Sequence, residues 1–399
     1  MTDLDQKKRI IYFSIAGVIL LIGVYFVWRL FAGSGTQTPT TGQTPINGNV
    51  PGFPTTPGNI PPTPESTGTS TPPVVTIPPE AQKLLQLTNY SIIGPSLNKD
   101  ETKVLFYKKE GGGLYAINFN ATSTEKLSPI TIVGLLDTVW SSGRDRSAIS
   151  YLDQDTIKSF LHIGTSTVAV LPPDTRSPAW SPDRKSLAYL ITKDGTTNLI
   201  IADAFGKSPR TIFSTPLRDA TITWIAPDKI EFLTAPSGHA EGFSFVYSRG
   251  SGSLSQVLGP RFGLTTLWSP DGSKVLATFT NRTGTHPQLV LFDATGKQLQ
   301  QLSLVTLPDK CAWSPDSKDI YCAVPRRAPA NATWPDDYLR GELAATDRVV
   351  DINPATGDIF PILDEETLSL SNLFATKDKA TLFFINRTDH TVDNLFMDS

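Results

Sequence analysis

From residue 82 onward, apolar residues arrive in short bursts separated by clusters of Pro, Asp, Gly and Ser. Val275-Leu276-Ala277-Thr278-Phe279, Leu187-Ala188-Tyr189-Leu190-Ile191 and Gln288-Leu289-Val290-Leu291-Phe292 are examples. Runs this short, bounded by turn formers, predict strands rather than helices. The punctuation between them repeats. Trp268-Ser269-Pro270-Asp271-Gly272 recurs as Trp180-Ser181-Pro182-Asp183 and Trp313-Ser314-Pro315-Asp316, with fainter copies at Trp140-Ser141-Ser142 and Trp224-Ile225-Ala226-Pro227-Asp228. In each copy an apolar residue and the Trp end one strand. Ser-Pro-Asp-Gly then turns the chain, with the φ of Pro preset and Gly tolerating the exit conformation. A second strand, a polar loop and a third strand follow. The third is closed by Asp203-Ala204-Phe205-Gly206 or Asp293-Ala294-Thr295-Gly296, before a more polar fourth strand such as Gln298-Leu299-Gln300-Gln301-Leu302.

The five Trp positions lie 40, 44, 44 and 45 residues apart. A fixed period of this size with four strands per copy predicts an all-β propeller, because one meander cannot bury both faces alone and must stack on its neighbours. Trp140, Trp180, Trp224, Trp268 and Trp313 are then wedges between blades. Asp183, Asp271 and Asp316 read as turn acceptors rather than a ring of carboxylates, since they repeat at one turn position. The repeat resembles the WD-type Pro-Asp propeller repeat of TolB-like proteins, which also occurs in the propeller domains of prolyl-oligopeptidase and dipeptidyl-peptidase enzymes. The resemblance covers residues 82–399. It implies the fold and says little about chemistry, because the motif shapes blades.

The two ends of this region complement one another. Residues 82–88 read as a fourth strand without its three predecessors, and residues 372–398 supply three strands and stop. The expectation is that the N-terminal strand closes the last blade and hides the edge strands. Inner strands are expected near Ser91, Val133, Pro178, Thr221, Thr265, Lys310 and Ser371, which makes a seven-bladed propeller, with six or eight as alternatives because the outer copies are degenerate.

Residues before 82 follow other rules. Residues 1–9 are a polar, cytoplasmic tail ending in Lys7-Lys8-Arg9. They precede an uncharged stretch from Ile10 to Trp28, followed closely only by Arg29. Its length approaches the ~20 residues that cross a bilayer. Residues 10–31 are therefore expected to be a transmembrane anchor, with the N-terminus cytoplasmic and the rest of the chain outside. A cleaved signal peptide is the alternative, for which the apolar run is long. Residues 33–80 hold 12 Pro, 12 Thr and 7 Gly with only Glu65 and Glu80 charged. This composition predicts a disordered linker over 32–81. A net charge of −3 argues against a nucleic-acid partner.

Candidates for binding are few. From Trp180 to Asp203 is 23 residues and from Trp268 to Asp293 is 25, but from Trp313 to the matching Asn353 is 40. The excess falls between the second and third strands, around Arg326–Thr346, on the rim shared with the blade-linking loops. Insertions on one rim often mark a binding face, and Trp, Tyr and Arg are enriched at hot spots. Arg326, Arg327, Trp334, Asp336, Asp337, Tyr338 and Arg340 are thus candidate partner contacts. The competing reading has Trp334 and Tyr338 plugging the channel mouth. Cys311 and Cys322, the only cysteines, flank one turn on neighbouring strands. Either a disulfide or two buried thiols fits. Four scattered His (162, 239, 286, 390) suggest no metal site, and no cofactor is implied. The Gly-x-Ser-x-Gly nucleophile of the peptidase relatives is absent. The sequence therefore suggests a membrane-anchored, extracytoplasmic, non-catalytic module that binds a protein or scaffolds the envelope. An enzyme or carbohydrate binder using the axial channel, or a structural surface protein, are the alternatives.

Overall fold

The computed structural model describes residues 84–397, except 330, 344, 365 and 366. The segments expected from the sequence to be tail, anchor and linker, residues 1–81, lie outside them. Among the described residues no helix is long and apolar enough to cross a membrane.

Nearly all regular structure is strand. Strand β1 is Leu84–Gln86. The next four, β2 (Ile92–Leu97), β3 (Lys103–Lys108), β4 (Leu114–Asn118) and β5 (Thr124–Lys126), form one antiparallel meander. A second contains β6 (Leu135–Trp140), β7 (Arg146–Asp153), β8 (Thr156–Ile163) and β9 (Thr167–Val170). The third runs from β10 (Arg176–Trp180) through β11 (Ser186–Lys193) and β12 (Thr196–Asp203) to β13 (Arg210–Thr215). A seven-stranded sheet follows: β14 (Thr221–Ala226), β15 (Lys229–Leu233), β16 (Glu241–Ser248), β17 (Ser253–Trp268), β18 (Lys274–Thr280), β19 (Gln288–Asp293) and β20 (Gln298–Leu302). Then come β21 (Cys311–Trp313), β22 (Ile320–Pro325), β23 (Asp347–Ile352) and β24 (Ile359–Leu363). The last sheet joins β25 (Leu370–Ala375), β26 (Thr381–Asn386) and β27 (Thr391–Phe396) to β1.

The seven-stranded sheet is two meanders fused through β17. Its first part pairs with β16 and its second with β18, and Phe262 opposes both Glu241 and Thr280. The repeat pattern predicts two strands with a link here. The chain instead keeps its pairing across the junction, bending at the left-handed Gly259 and Gly263, so the two meanders share one strand.

Apolar clusters join each meander to the next. Tyr107 and Leu114 pack with Leu135 and Ile149; Ala148 and Leu161 pack with Trp180 and Tyr189; Leu190 and Leu199 pack with Trp224 and Phe232. Ile225 and Leu258 meet Trp268 and Val275, Leu276 and Leu291 meet Trp313 and Ile320, and Ala323 and Val349 meet Leu373 and Leu382. A last cluster returns to the start, with Phe383 and Val392 against Leu97 and Phe106. The Trp side chains lie in or beside these seams. Trp140 donates its indole N–H to the Gly94 carbonyl (2.7 Å), Trp180 to Val139 (2.9 Å) and Trp313 to Leu267 (3.2 Å). Each acceptor is on the inner strand of the preceding meander, so one side chain fills the seam and satisfies its only polar atom there.

The turn aspartates are engaged locally. Asp183 accepts from Ser181 Oγ (2.6 Å) and Lys185 N (3.1 Å), and Asp271 accepts from Ser269 Oγ (2.6 Å) and Ser273 N (2.9 Å). Asp316 accepts from Ser314 Oγ (2.7 Å) and also pairs with Lys379 of the next meander (2.8 Å), which holds its carboxyl down at about 2. At the other end of the region, β1 pairs with β27 in the register Leu84↔Leu395 to Gln86↔Asp393. These turns share one rim. The loops between second and third strands share the opposite rim with the links between meanders.

Candidate functional site

On that second rim, residues 326–346 form an insert between β22 and β23, carrying the short helix α1 (Asp336–Leu339). Its apolar residues fold inward. Trp334, 1% exposed, packs with Leu307, Ala332, Tyr338 and Leu343 in a small core of its own. Asp337 accepts from Thr333 N (2.7 Å) and pairs with Arg340, which fastens the start of the helical turn. The insert is also tied to its neighbours. Trp334 N donates to the Gly284 carbonyl (2.7 Å), and Asp336 accepts from Gly238 N (2.6 Å) and Ser237 Oγ (3.1 Å). Gly238 allows this approach, because a Cβ there would stand 2.6 Å from the Trp334 carbonyl oxygen.

This geometry separates the partner-contact candidates drawn from the sequence. Trp334 and Tyr338 are buried, and the half-buried Asp336 is bonded to the rim of another meander. Arg326 is turned to Asp364. Arg327 and Arg340 remain exposed, as does Leu339 next to Arg340 in the chain (52%), with Arg340 also bonded to Glu342 (3.0 Å). The physical reason is that a loop of this length needs its own core to hold one conformation, and the aromatics supply it.

Beneath the insert lies a cavity of about 580 Å³, lined by Leu267, Asp309, Tyr338, Asn372, Arg387 and His390 among others. A neighbouring hollow of about 550 Å³ shares Arg387 and His390. Arg387 lies over the Tyr338 ring at 3.9 Å and donates to the Tyr338 carbonyl (3.1 Å). Next to it Lys310 and Asp347 form a buried ion pair (2.7 Å), and Asp347 also accepts from Leu370 N (2.7 Å). Burial pulls Lys310 down and pushes Asp347 up, against their mutual attraction. Asp309 is open to solvent yet ringed by protein, which raises its carboxyl pKa while Arg387 lowers it. Burial likewise raises the Tyr338 phenol.

A third cavity, about 860 Å³, runs along the inner strands of the first four meanders past Asp137, Arg144, Arg176, Asp219 and Thr223. Its charges are largely engaged. Arg176 pairs with Asp219 (3.6 Å), and Arg144 donates to Ser96 Oγ (2.8 Å) and the Leu97 carbonyl (3.0 Å). Among the described residues no three His, Cys, Asp or Glu side chains converge where they could hold a metal ion. Cys311, which lines the cavity under the insert, is disulfide-bonded to Cys322 directly opposite it.

Asp309, Lys310, Asp347, Arg387 and His390 carry no motif and were not singled out from the sequence. Their only signal is position, at the starts of inner and third strands and just after second strands on the rim that bears the insert.

Consecutive meanders packed seam to seam, with Trp wedges between them, define a β-propeller. The solved structures that the chain is similar to share this fold. They include an oligogalacturonate lyase in complex with manganese (12% identity, 79% of this chain and 91% of that one, TM-score 0.56). Another is the β-propeller domain of the Trilobed protease from Pyrococcus furiosus (13% identity, 76% and 95%, TM-score 0.52). TolB from Acinetobacter baumannii also matches (13% identity, TM-score 0.44); 69% of this chain is covered, and the match spans 64% of the TolB chain. At such identities the likeness shows the fold alone. No family model and no curated protein matches the chain.

Proposed function

We propose that this chain is a seven-bladed propeller closed by β1, tethered outside a membrane by one span at residues 10–31, and working as a protein-binding or scaffold module. The uncharged stretch behind Lys7-Lys8-Arg9 and the Pro/Thr-rich linker support the tether. The observation that carries the binding role is the insert. Its buried Trp334 and its ties to Gly238 and Gly284 make a preformed platform, on which Arg327, Leu339 and Arg340 stand exposed. A rigid platform lowers the ordering cost of association, and arginine beside an exposed aliphatic suits a protein surface. The reading includes no catalytic step.

The test is cross-linking and capture from envelope extracts with the full chain and with the Arg327→Glu/Arg340→Glu double variant. A specific partner is expected, with recovery falling about tenfold or more on charge reversal. The absence of any specific partner, or equal recovery by both proteins, overturns the binding role. Protease added to intact cells should remove the propeller while an N-terminal tag survives; a protected propeller overturns the tether.

A further inference from the structure

The cavity beneath the insert has an unusual charge balance. Lys310 and Asp347 neutralise one another behind Tyr338, outside its lining. Asp309 and Arg387 both line the cavity, and among the described residues they form no ion pair with one another. Arg387 is fixed by the Tyr338 ring and carbonyl, which take one face and one N–H of a group with five donors. The Asp309 carboxylate makes no hydrogen bond among the described residues. The rest of the lining mixes the aliphatic Leu267, Pro308 and Ile385 with Ser371, Asn372 and His390. The volume, about 580 Å³, falls within the range of small-molecule sites.

We propose that this cavity binds a small zwitterion, with an anionic group on Arg387, a cationic group on Asp309 and an aliphatic skeleton between them. A ligand with only the anion would meet Asp309, and one with only the cation would meet Arg387, so the site selects against either alone. Free aliphatic α-amino acids and the ends of short peptides share this chemistry. The inference does not rest on the protein-binding role, which uses the outer face of the insert.

The experiment is calorimetric titration of the full chain in detergent with L-leucine, the dipeptide Leu-Leu, 4-methylpentanoate and 3-methylbutylamine. Leucine or the dipeptide should bind, each single-charge analogue about tenfold or more weakly. Leucine binding assigns a free amino acid; binding of the dipeptide alone assigns a peptide end. Asp309→Asn, which removes no hydrogen bond of the fold, should weaken the zwitterion about tenfold while 4-methylpentanoate binds at least as well as before. Arg387→Lys, checked for folding by its thermal melt, should weaken the zwitterion as well. Equal binding of the single-charge analogues, no binding of either zwitterion at millimolar concentration, or an Asp309→Asn variant with wild-type leucine affinity overturns the proposal.

Discussion

At the fourth position of the first turn in six meanders the backbone is left-handed: Glu101, Arg144, Arg184, Gly272, Ser317 and Lys379. Only one of these is glycine, yet all close the same bond, as in Arg184 N to the Ser181 carbonyl (2.9 Å) and Gly272 N to Ser269 (2.8 Å). In four of them an Asp side chain at the third position accepts from the first residue's hydroxyl, in the first Asn98 accepts from Thr102 N and Lys103 N, and the sheet on either side holds every turn, so the cost of a non-Gly residue there, of order 1 kcal/mol, is accepted repeatedly. These turns were legible because they are local. Glu231 was not. It sits on a strand whose pattern reads as core, is 2% exposed, and accepts from Ser244 Oγ (2.6 Å) and Thr266 Oγ1 (2.9 Å) across the fused meanders. Burial raises its carboxyl pKa above the ordinary 4.5, and the hydroxyl donors only partly oppose this. A raised folded-state pKa gives stability that is present below pH 4.5 and lost as pH rises toward the folded value. The stability of the wild type relative to Glu231→Gln should therefore decline as pH rises from about 4.5, in urea unfolding at several pH values. A relative stability that climbs with pH would mean the carboxylate is charged in the fold. The comparison with the variant is needed because Asp393, pushed up to about 7, titrates in the same direction, and His162, pulled below 6.5 by burial, in the opposite one.

Among elements, the pair β21 and β22 shows how a strand register carries chemistry. Opposition of Trp313 to Ile320 places Cys311 opposite Cys322, and the two sulfurs are bonded between buried positions. The sequence left thiols and bridge open, since it specifies the turn and not the distance between Cα atoms, which the sheet sets at 4.1 Å. The bridge spans 11 residues, for which the chain-entropy account gives about 3 kcal/mol. The Cys311→Ala/Cys322→Ala variant should lose roughly 2–3 kcal/mol in urea unfolding under oxidising conditions, and adding reductant to it should change nothing further. A variant as stable as the wild type would show that the buried pair contributes packing alone. Strand existence followed from local apolar bursts. The length of β17 did not, because only pairing to β16 and then to β18 keeps the segment in the sheet through the left-handed Gly259 and Gly263.

For the molecule as a whole, the seam between the last meander and the first matters most. Leu84 packs with the cluster of Leu382 and Leu395, and Leu85 with that of Phe106 and Phe383, so a three-residue strand serves two cores. Leu84→Asp/Leu85→Asp should unpair β1 and expose the edge of β27. Stability should fall by on the order of 3 kcal/mol and self-association should rise, read by urea unfolding and light scattering. Unchanged stability and a monodisperse variant would show that β1 is dispensable to the ring.

The sequence by itself determined the repeat: where strands and turns fall, which tryptophans fill seams, and where the extra loop leaves the period. Those features depend on neighbours a few residues apart, and period and turn chemistry report them directly. Only the tertiary structure decided that the aromatics of the insert form its own core, that Glu231 is enclosed between two meanders, and that Asp309 and Arg387 face one cavity. Asp309 and Arg387 are 78 residues apart, and nothing in a one-dimensional pattern marks a pair that lines one cavity because the start of one inner strand and the end of another meander's second strand fall on one rim.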